Sequence, residues 1–439
     1  MPHGLGEDDP SNPASHRTSP ARLAEFREQR FGLFIHWGLY ALAARHEWVK
    51  QRERLTDEQY QRYFDHFDPD LFDPDAWADA AAGAGMRYMV LTTKHHDGFC
   101  LWPSALTDYS VAGTPYGRDL VGPIVDAFRG RGLGVGFYHS LIDWHHPQFP
   151  IDGIHPSWSE DVSNADRNIE EYQAYLHGQV EELLTRYGRI DTMWFDFSYA
   201  KRVVNGRPTP GGKGAADWRS EELAALVRKL QPDILINDRL EIPGDFTTPE
   251  QYQPTAPPAQ VWEACQTLNG SWGYDRDNLD HKPVDLLVRM LVDTVSKDGN
   301  LLLNVGPNGR GAFDPRSLET LRGIGEWTRL HGRSLYGAGP STFEAPPDCR
   351  YTQRGDRLYV HLFAWPYRHL HLPGLAGPDG PRVRYAQLLH DASEIRTLIP
   401  DPARDSGHTR LGALPPGTLT LQLPVQRPDV AVPVIELFL

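Results

Sequence analysis

The sequence predicts an α/β protein: a parallel sheet with helices outside it, followed by a small all-β unit. Three observations predict this. Strand-like and helix-like segments alternate from about residue 30 to 335. After Ser334 the pattern changes to short alternating or apolar runs separated by Pro, Gly and Asp. The length, 439 residues, exceeds one core of ordinary size and fits a large domain plus a small one.

The elements follow in order. Phe31–Trp37 is a short apolar run ending in His36–Trp37–Gly38. Asp75–Gly85 is Ala-rich and helical, and leads into the strand Tyr88–Thr93. Leu120–Arg131 is helical, with Pro123 in the first turn, where a missing N–H is tolerated; the strand Leu133–Tyr138 follows. The clearest helix spans about Asn164 to Tyr187, because Ile169, Tyr172, Leu176, Val180, Leu183 and Tyr187 recur every three or four residues. Gly188 supplies its stop. Then come the strand 190–196, the helix Arg219–Leu230, the strand Ile234–Asn237, a weak strand at Val261–Glu263, the helix Val284–Lys297, the strand Leu301–Val305 and the helix Arg316–Arg329. About seven strands are visible in this pattern. A (β/α)8 barrel needs eight, so a barrel would be irregular. A doubly wound open sheet is the alternative, although no Gly-rich phosphate loop follows the first strand. Beyond residue 340, Arg357–Ala364, Arg382–Leu389, Leu419–Leu423 and Val430–Phe438 read as strands, and Arg354–Gly355–Asp356 as a hairpin turn. Residues 21–335 are thus expected to form one α/β domain and residues 340–439 a small C-terminal β-sandwich.

Composition narrows the function. Hydrophobic residues make up 40% and charged residues 23%, a globular balance. The net charge of −14 speaks against nucleic-acid binding. The three cysteines are widely spaced and show neither a disulfide framework nor a zinc motif. No window approaches a membrane span. Residues 1–20 are polar and rich in Pro and Ser, without the apolar core of a signal peptide. A disordered tail and a cytoplasmic location are expected. Oligomerisation is left open.

The ends of the strands carry the chemistry. The first ends in His36–Trp37, the second in Lys94–His95–His96–Asp97, the third in Tyr138–His139, the fourth in Trp194 and Asp196, and the fifth in Asn237–Asp238–Arg239. The carboxyl ends of barrel strands are where barrel enzymes keep their active sites. The Gly/Pro-rich stretch Val204–Ala216 would be a long loop on that face. Asp196, closing the apolar strand Ile190–Phe197, reads either as a nucleophile or as a core or capping Asp. One reading makes His95, His96, His139, His145, His146 and Asp196 a metal site. Adjacent His95 and His96 would point to opposite faces of a strand, however, and no His-x-His is present. The other reading is glycoside hydrolysis, which needs two carboxyl groups and many donors for sugar hydroxyls. The twelve Trp and nineteen His suit it, since Trp faces cover the apolar side of a sugar ring. No metal or other cofactor is expected.

A set of motifs extends this reading. Gly32–Leu33–Phe34–Ile35–His36–Trp37–Gly38, His46–Glu47–Trp48, Thr93–Lys94–His95–His96–Asp97–Gly98–Phe99, Gly136–Phe137–Tyr138–His139–Ser140, Trp194–Phe195–Asp196, Asn237–Asp238–Arg239, Ser271–Trp272–Gly273–Tyr274 and the run Asn300–Pro307 occur in this order. With them the chain resembles the α-L-fucosidases of glycoside hydrolase family 29. The resemblance implies a distorted (β/α)8-like, TIM-type barrel with a C-terminal β-sandwich. It implies a retaining exo-enzyme that releases terminal α-L-fucose from oligosaccharides or glycoconjugates, with Asp196 as nucleophile. His36, Glu47, Trp48, His95, His96, Tyr138, Trp194 and Arg239 would then surround the fucose. A non-catalytic sugar-binding protein on the same scaffold is the alternative.

Arg239 and His N–H groups would favour ionised Asp196, whereas the partner acid would need a drier site. Glu250, following Arg239 at about the family's separation, is the expected acid/base, with Glu263 the alternative. Asp238 is expected to orient Arg239, and Asn300 and Asn304 to be strand-end structure. Taken alone, Glu47 reads as a surface partner of Lys50, and His36 as a core histidine bonded to a backbone carbonyl.

Overall fold

The computed structural model describes residues 18–201, 203–204, 207–377, 380–400 and 414–439. Most of the expected N-terminal tail lies outside these residues. Its last part does not behave as a tail: the buried Thr18 donates its N–H to Asp245, 2.9 Å away, and Ser19 caps helix α1 (Pro20–Gln29) by accepting from the N–H of Arg22.

Seven parallel strands form one curled sheet: β1 (Phe31–Ile35), β2 (Tyr88–Lys94), β3 (Gly134–Ser140), β4 (Thr192–Asp196), β5 (Leu235–Ile236), β6 (Glu263–Thr267) and β7 (Asn300–Val305). Their spatial order is β5-β4-β3-β2-β1-β7-β6. Helices cover the outside: α2 (Pro74–Gly83), α3 (Val121–Gly130), α4 (Ile169–Arg186), α5 (Ser220–Leu230), α6 (Val284–Ser296) and α7 (Pro315–His331). Helix α4 starts at Ile169, the first residue of its apolar period, and not near Asn164. Asn168 caps it by accepting from the N–H of Glu170 at 2.9 Å, while Asn164 pairs with the backbone of Ile151. Gly188, at φ +68°, ends that helix region as expected.

The gap between β5 and β6 is closed by an irregular eighth stave, residues 245–251. Asp245 N–H donates to Ile236 O at 2.7 Å, Thr247 N–H to Val261 O at 2.9 Å, and Cys265 N–H to Pro249 O at 3.0 Å. Parallel bridges Asn237–Phe246, Thr247–Trp262 and Glu250–Cys265 continue the closure. Thr247–Thr248–Pro249 has no apolar alternation, and Pro249 has no N–H to give to a ladder, so this stave is illegible as a strand. The expected weak strand at Val261–Glu263 is instead β6, shifted toward the C-terminus. Inside the barrel, Phe26, Phe34, Tyr88, Val90, Trp194, Phe246 and Leu302 form an apolar plug, to which α1 contributes Phe26.

The C-terminal unit is built on two antiparallel sheets, with a further two-stranded pair, Ala376–Gly377 and Gly380–Pro381. One has four strands, β8 (Cys349–Arg354), β9 (Arg357–Leu362), β11 (Tyr385–Leu388) and β14 (Val434–Phe438), and the other three, β10 (His369–Leu372), β12 (Arg396–Leu398) and β13 (Leu419–Gln422). Leu358, Val360 and Leu437 of the first share a core with Leu372, Leu419 and Leu421 of the second. Gly355, at φ +56°, makes the expected turn between β8 and β9. No helix among the described residues is long and apolar enough to cross a membrane.

Candidate active site

Asp196 is the last residue of β4, and the structure secures that strand end with a side chain. Asn237 accepts from the N–H of Phe195 at 3.0 Å and donates to its carbonyl at 2.8 Å. The side-chain amide thus replaces a ladder rung and lets the main chain leave β5 toward Arg239. Phe197, next to Asp196, is held at φ +84°, a conformation bulky residues rarely adopt; such strain is characteristic of functional sites.

All ten residues singled out from the sequence line one cavity of about 400 Å³: Asp196, Glu250, His36, Glu47, Trp48, His95, His96, Tyr138, Trp194 and Arg239. Asp196 accepts hydrogen bonds from Tyr138 Oη at 2.8 Å and from Arg239 Nη1 at 2.7 Å. The same Nη1 lies 2.8 Å from Glu250 Oε2. One nitrogen therefore touches both carboxylates, and their nearest oxygens are no farther apart than the sum of these two distances. So close an approach is compatible with the roughly 5–5.5 Å between the carboxyl groups of a retaining pair. Burial opposes the charge of Arg239, but Asp196 beside it more than offsets this and holds the guanidinium protonated. Burial likewise raises the Tyr138 hydroxyl well above its ordinary range, so it remains a donor.

His36 and His95 are neutral donors and acceptors. Burial drives His36 down to about 3. Its Nδ1 is 2.7 Å from Asn304 Oδ1, while Asn304 Nδ2 donates to Trp272 O. His36 Nδ1 therefore carries the hydrogen, and Nε2 is left as an acceptor. Asn304 is thus more than strand-end structure, and His36 bonds to that amide rather than to a backbone carbonyl. Ser140 donates to Ile142 O, so His96 Nδ1, 2.7 Å from Ser140 Oγ, must be the donor of that pair. His95, also buried, is pushed well below the usual range. His95 and His96 both line the cavity, with ring centres 4.0 Å apart, contrary to the alternation expected of a strand. The register shifts between Thr92 and Lys94, and a turn closed by Gly98 N–H onto His95 O begins where β2 ends. Strand alternation no longer applies there. No group of three or more His, Cys, Asp or Glu among the described residues could hold a metal ion.

Glu47 is not a surface residue. It is buried, and its Oε2 accepts from the N–H groups of Trp272 and Gly273 at 3.1 and 2.9 Å. Lys50 pairs with Asp57 instead. Burial raises the Glu47 carboxyl to about 7. Its neighbour His46, 3.0 Å from Oε1, is driven by burial to about 4, so their contact is not an ion pair.

Glu263 and Glu250 occupy different surroundings. Glu263 is wholly buried among the interior aromatics, accepts from Tyr88 Oη and from Trp194 Nε1, and does not line the cavity. Burial raises it to about 7. Glu250 closes the eighth stave at the cavity wall, with its side chain 41% exposed. Asp238 reaches Arg239 through an intermediary. Thr248 Oγ1 donates to Asp238 Oδ1 at 2.8 Å and accepts from Arg239 Nε at 2.9 Å.

The cavity also takes in His46, Phe197, Gln251 and Trp272, which were not singled out as site residues. His46 and Trp272 flank positions in the quoted motifs, and Phe197 follows Asp196 directly. Gln251 lies on the stave that no periodicity reveals.

A parallel barrel whose cavity holds a bridged carboxylate pair among imidazoles and indoles has the make-up of a glycoside hydrolase. The chain belongs to the alpha-L-fucosidase family, whose model matches residues 9–333. It is 31% identical over 373 residues to the tissue alpha-L-fucosidase of Bos taurus, covering 78% of this chain and 75% of that protein. Among solved structures it is similar to alpha-L-fucosidase isoenzyme 1 from Paenibacillus thiaminolyticus, with 44% identity, a TM-score of 0.85, and coverage of 95% of this chain and 98% of the other. It is also similar, at 28% identity and a TM-score of 0.79 with 96% of each chain covered, to a GH29 alpha-L-fucosidase from Bacteroides thetaiotaomicron trapped as a covalent intermediate.

Proposed function

We propose that this enzyme is a retaining exo-α-L-fucosidase that uses Asp196 as nucleophile and Glu250 as acid/base. The observation that carries this reading is the single Arg239 nitrogen contacting both carboxylates. Asp196 attacks the anomeric carbon while Glu250 protonates the leaving oxygen. A covalent fucosyl ester forms, and Glu250 then takes a proton from the water that releases it. The acid must be protonated when the sugar arrives. In the free cavity Glu250 is half open to solvent, and a bound fucoside covers it, supplying the drier surroundings the step requires. Glu263 already has such surroundings, but both its oxygens are engaged away from the cavity. Neutral His36 and His95, with the His96 ring beside them, suit fucose hydroxyls, and Trp194 with Phe34 and Trp272 offers an apolar wall for the C5 methyl. The covalent intermediate of the Bacteroides enzyme supports the retaining course.

Hydrolysis of an aryl α-L-fucoside tests the reading. Asp196→Asn is expected to lose about 10³-fold or more in kcat. Glu250→Gly is expected to keep activity on good leaving groups, lose it on natural linkages, and recover rate with azide, whereas Glu263→Gly shows no azide rescue. Full activity in Asp196→Asn, or azide rescue confined to Glu263→Gly, contradicts the assignment. Binding without turnover in the wild type would make the chain a sugar-binding protein.

A further inference from the structure

We infer that Thr248 is a positioning residue for the reaction: its hydroxyl, oriented by Asp238, sets Arg239 so that one guanidinium nitrogen serves both reacting carboxylates. This rests on the assignment of Asp196 and Glu250 above and adds a residue outside the sugar's contact shell.

The hydrogens fix the direction of the relay. A hydroxyl has one hydrogen and two lone pairs. Asp238 is an acceptor, so the Thr248 hydrogen points to it, and the opposite side of Oγ1 must accept from Arg239 Nε. Nη2 of the same guanidinium donates to the Thr248 carbonyl at 3.3 Å. Thr248 thus takes the inner edge of the planar fork, leaving Nη1 to bridge Asp196 and Glu250. A guanidinium is rigid, so fixing Nε and Nη2 fixes where Nη1 sits. The ring of Trp194, with the guanidinium 4.6 Å from its centre, sets the plane. Thr248 also belongs to the stave that ends in Glu250, two residues on. The residue that aims Arg239 at Asp196 therefore stands on the segment that carries the acid. A shift of that stave moves acid and cation together relative to Asp196.

Thr248→Val keeps the shape and the backbone carbonyl but loses the hydroxyl; Thr248→Ser restores it. Steady-state kinetics on 4-nitrophenyl α-L-fucoside, with thermal melting as a fold check, test the inference. Thr248→Val is expected to lose about tenfold to a hundredfold in kcat, the scale of misplaced reacting groups, with KM within about twofold. Thr248→Ser is expected to recover most of that loss. Asp238→Ala is expected to cost rate in the wild type and almost nothing more in Thr248→Val, since it acts through Thr248. Three outcomes overturn the inference: wild-type kcat in Thr248→Val, a loss in KM alone, or additive effects of the two substitutions. If Thr248→Val does not fold, Asp238→Ala decides, because wild-type kcat there breaks the relay. Failure of the nucleophile assignment is seen separately, as turnover by Asp196→Asn.

Discussion

The two buried glutamates show how surroundings divide like residues into different tasks. Glu47 and Glu263 are both raised by burial to about 7. The folded chain then holds protons that the unfolded chain, at about 4.5, has released. Stability from this source is fully present below pH 4.5 and is lost as the pH rises through 7. Glu263→Gln should remove one of the two contributions. Its urea midpoint is expected to fall less than the wild type's between about pH 5 and pH 7.5; an identical fall would contradict the raised carboxyl. At this scale much of the site was legible, because polar residues at strand ends are conspicuous against apolar runs. What was hidden is what a residue touches. Asn304 looked like strand-end structure until its amide was seen to choose the tautomer of His36, and Asp238 was seen to need Thr248 to reach Arg239.

Among the elements, the regular strands and helices were readable from their periods, within a few residues at the ends. The closing stave was not, because Thr247–Pro249 lacks both alternation and a full set of N–H groups. Tertiary contacts specify it instead. Phe246 is fully buried, with its ring centre 5.0 Å from that of Phe26, and Asp245 ties the stave to Thr18 and Arg228. Phe246→Ala is expected to cost about 3–5 kcal/mol in chemical denaturation. It should also lower kcat, since Thr248 and Glu250 follow on the same segment. Loss of stability with unchanged turnover would show that the stave holds its place without its apolar anchor. His95 and His96 teach the same lesson, since a bulge and a turn brought both rings to one side where a regular strand would have separated them.

For the whole molecule, the barrel and the C-terminal sheets are joined by more than a linker. Trp327 Nε1 donates to Val432 O at 2.7 Å, Arg350 pairs with Asp293 at 2.7 Å, and Tyr359, Leu389, Val432 and Val434 extend the barrel's own core. Calorimetry is therefore expected to show one cooperative transition for both parts. Two resolved transitions would mean that this shared core is weaker than its burial implies. The change of texture after Ser334 revealed the second unit, whereas its attachment, made by side chains far apart in sequence, could not be read from any local pattern.

The irregular stave also makes the two bridged carboxylates, Asp196 and Glu250, unequally portable. Asp196 rides a strand locked between two neighbours, where a slip of one residue would turn it out of the cavity. Glu250 rides a segment outside the regular ladder, held by a few backbone bonds, the Phe246 ring and the side-chain bonds of Asp245 and Thr248. On the proposed assignment, a chimera that exchanges residues 241–262 with those of a relative would replace the mounting of the acid, Glu250, and leave the register of Asp196 untouched.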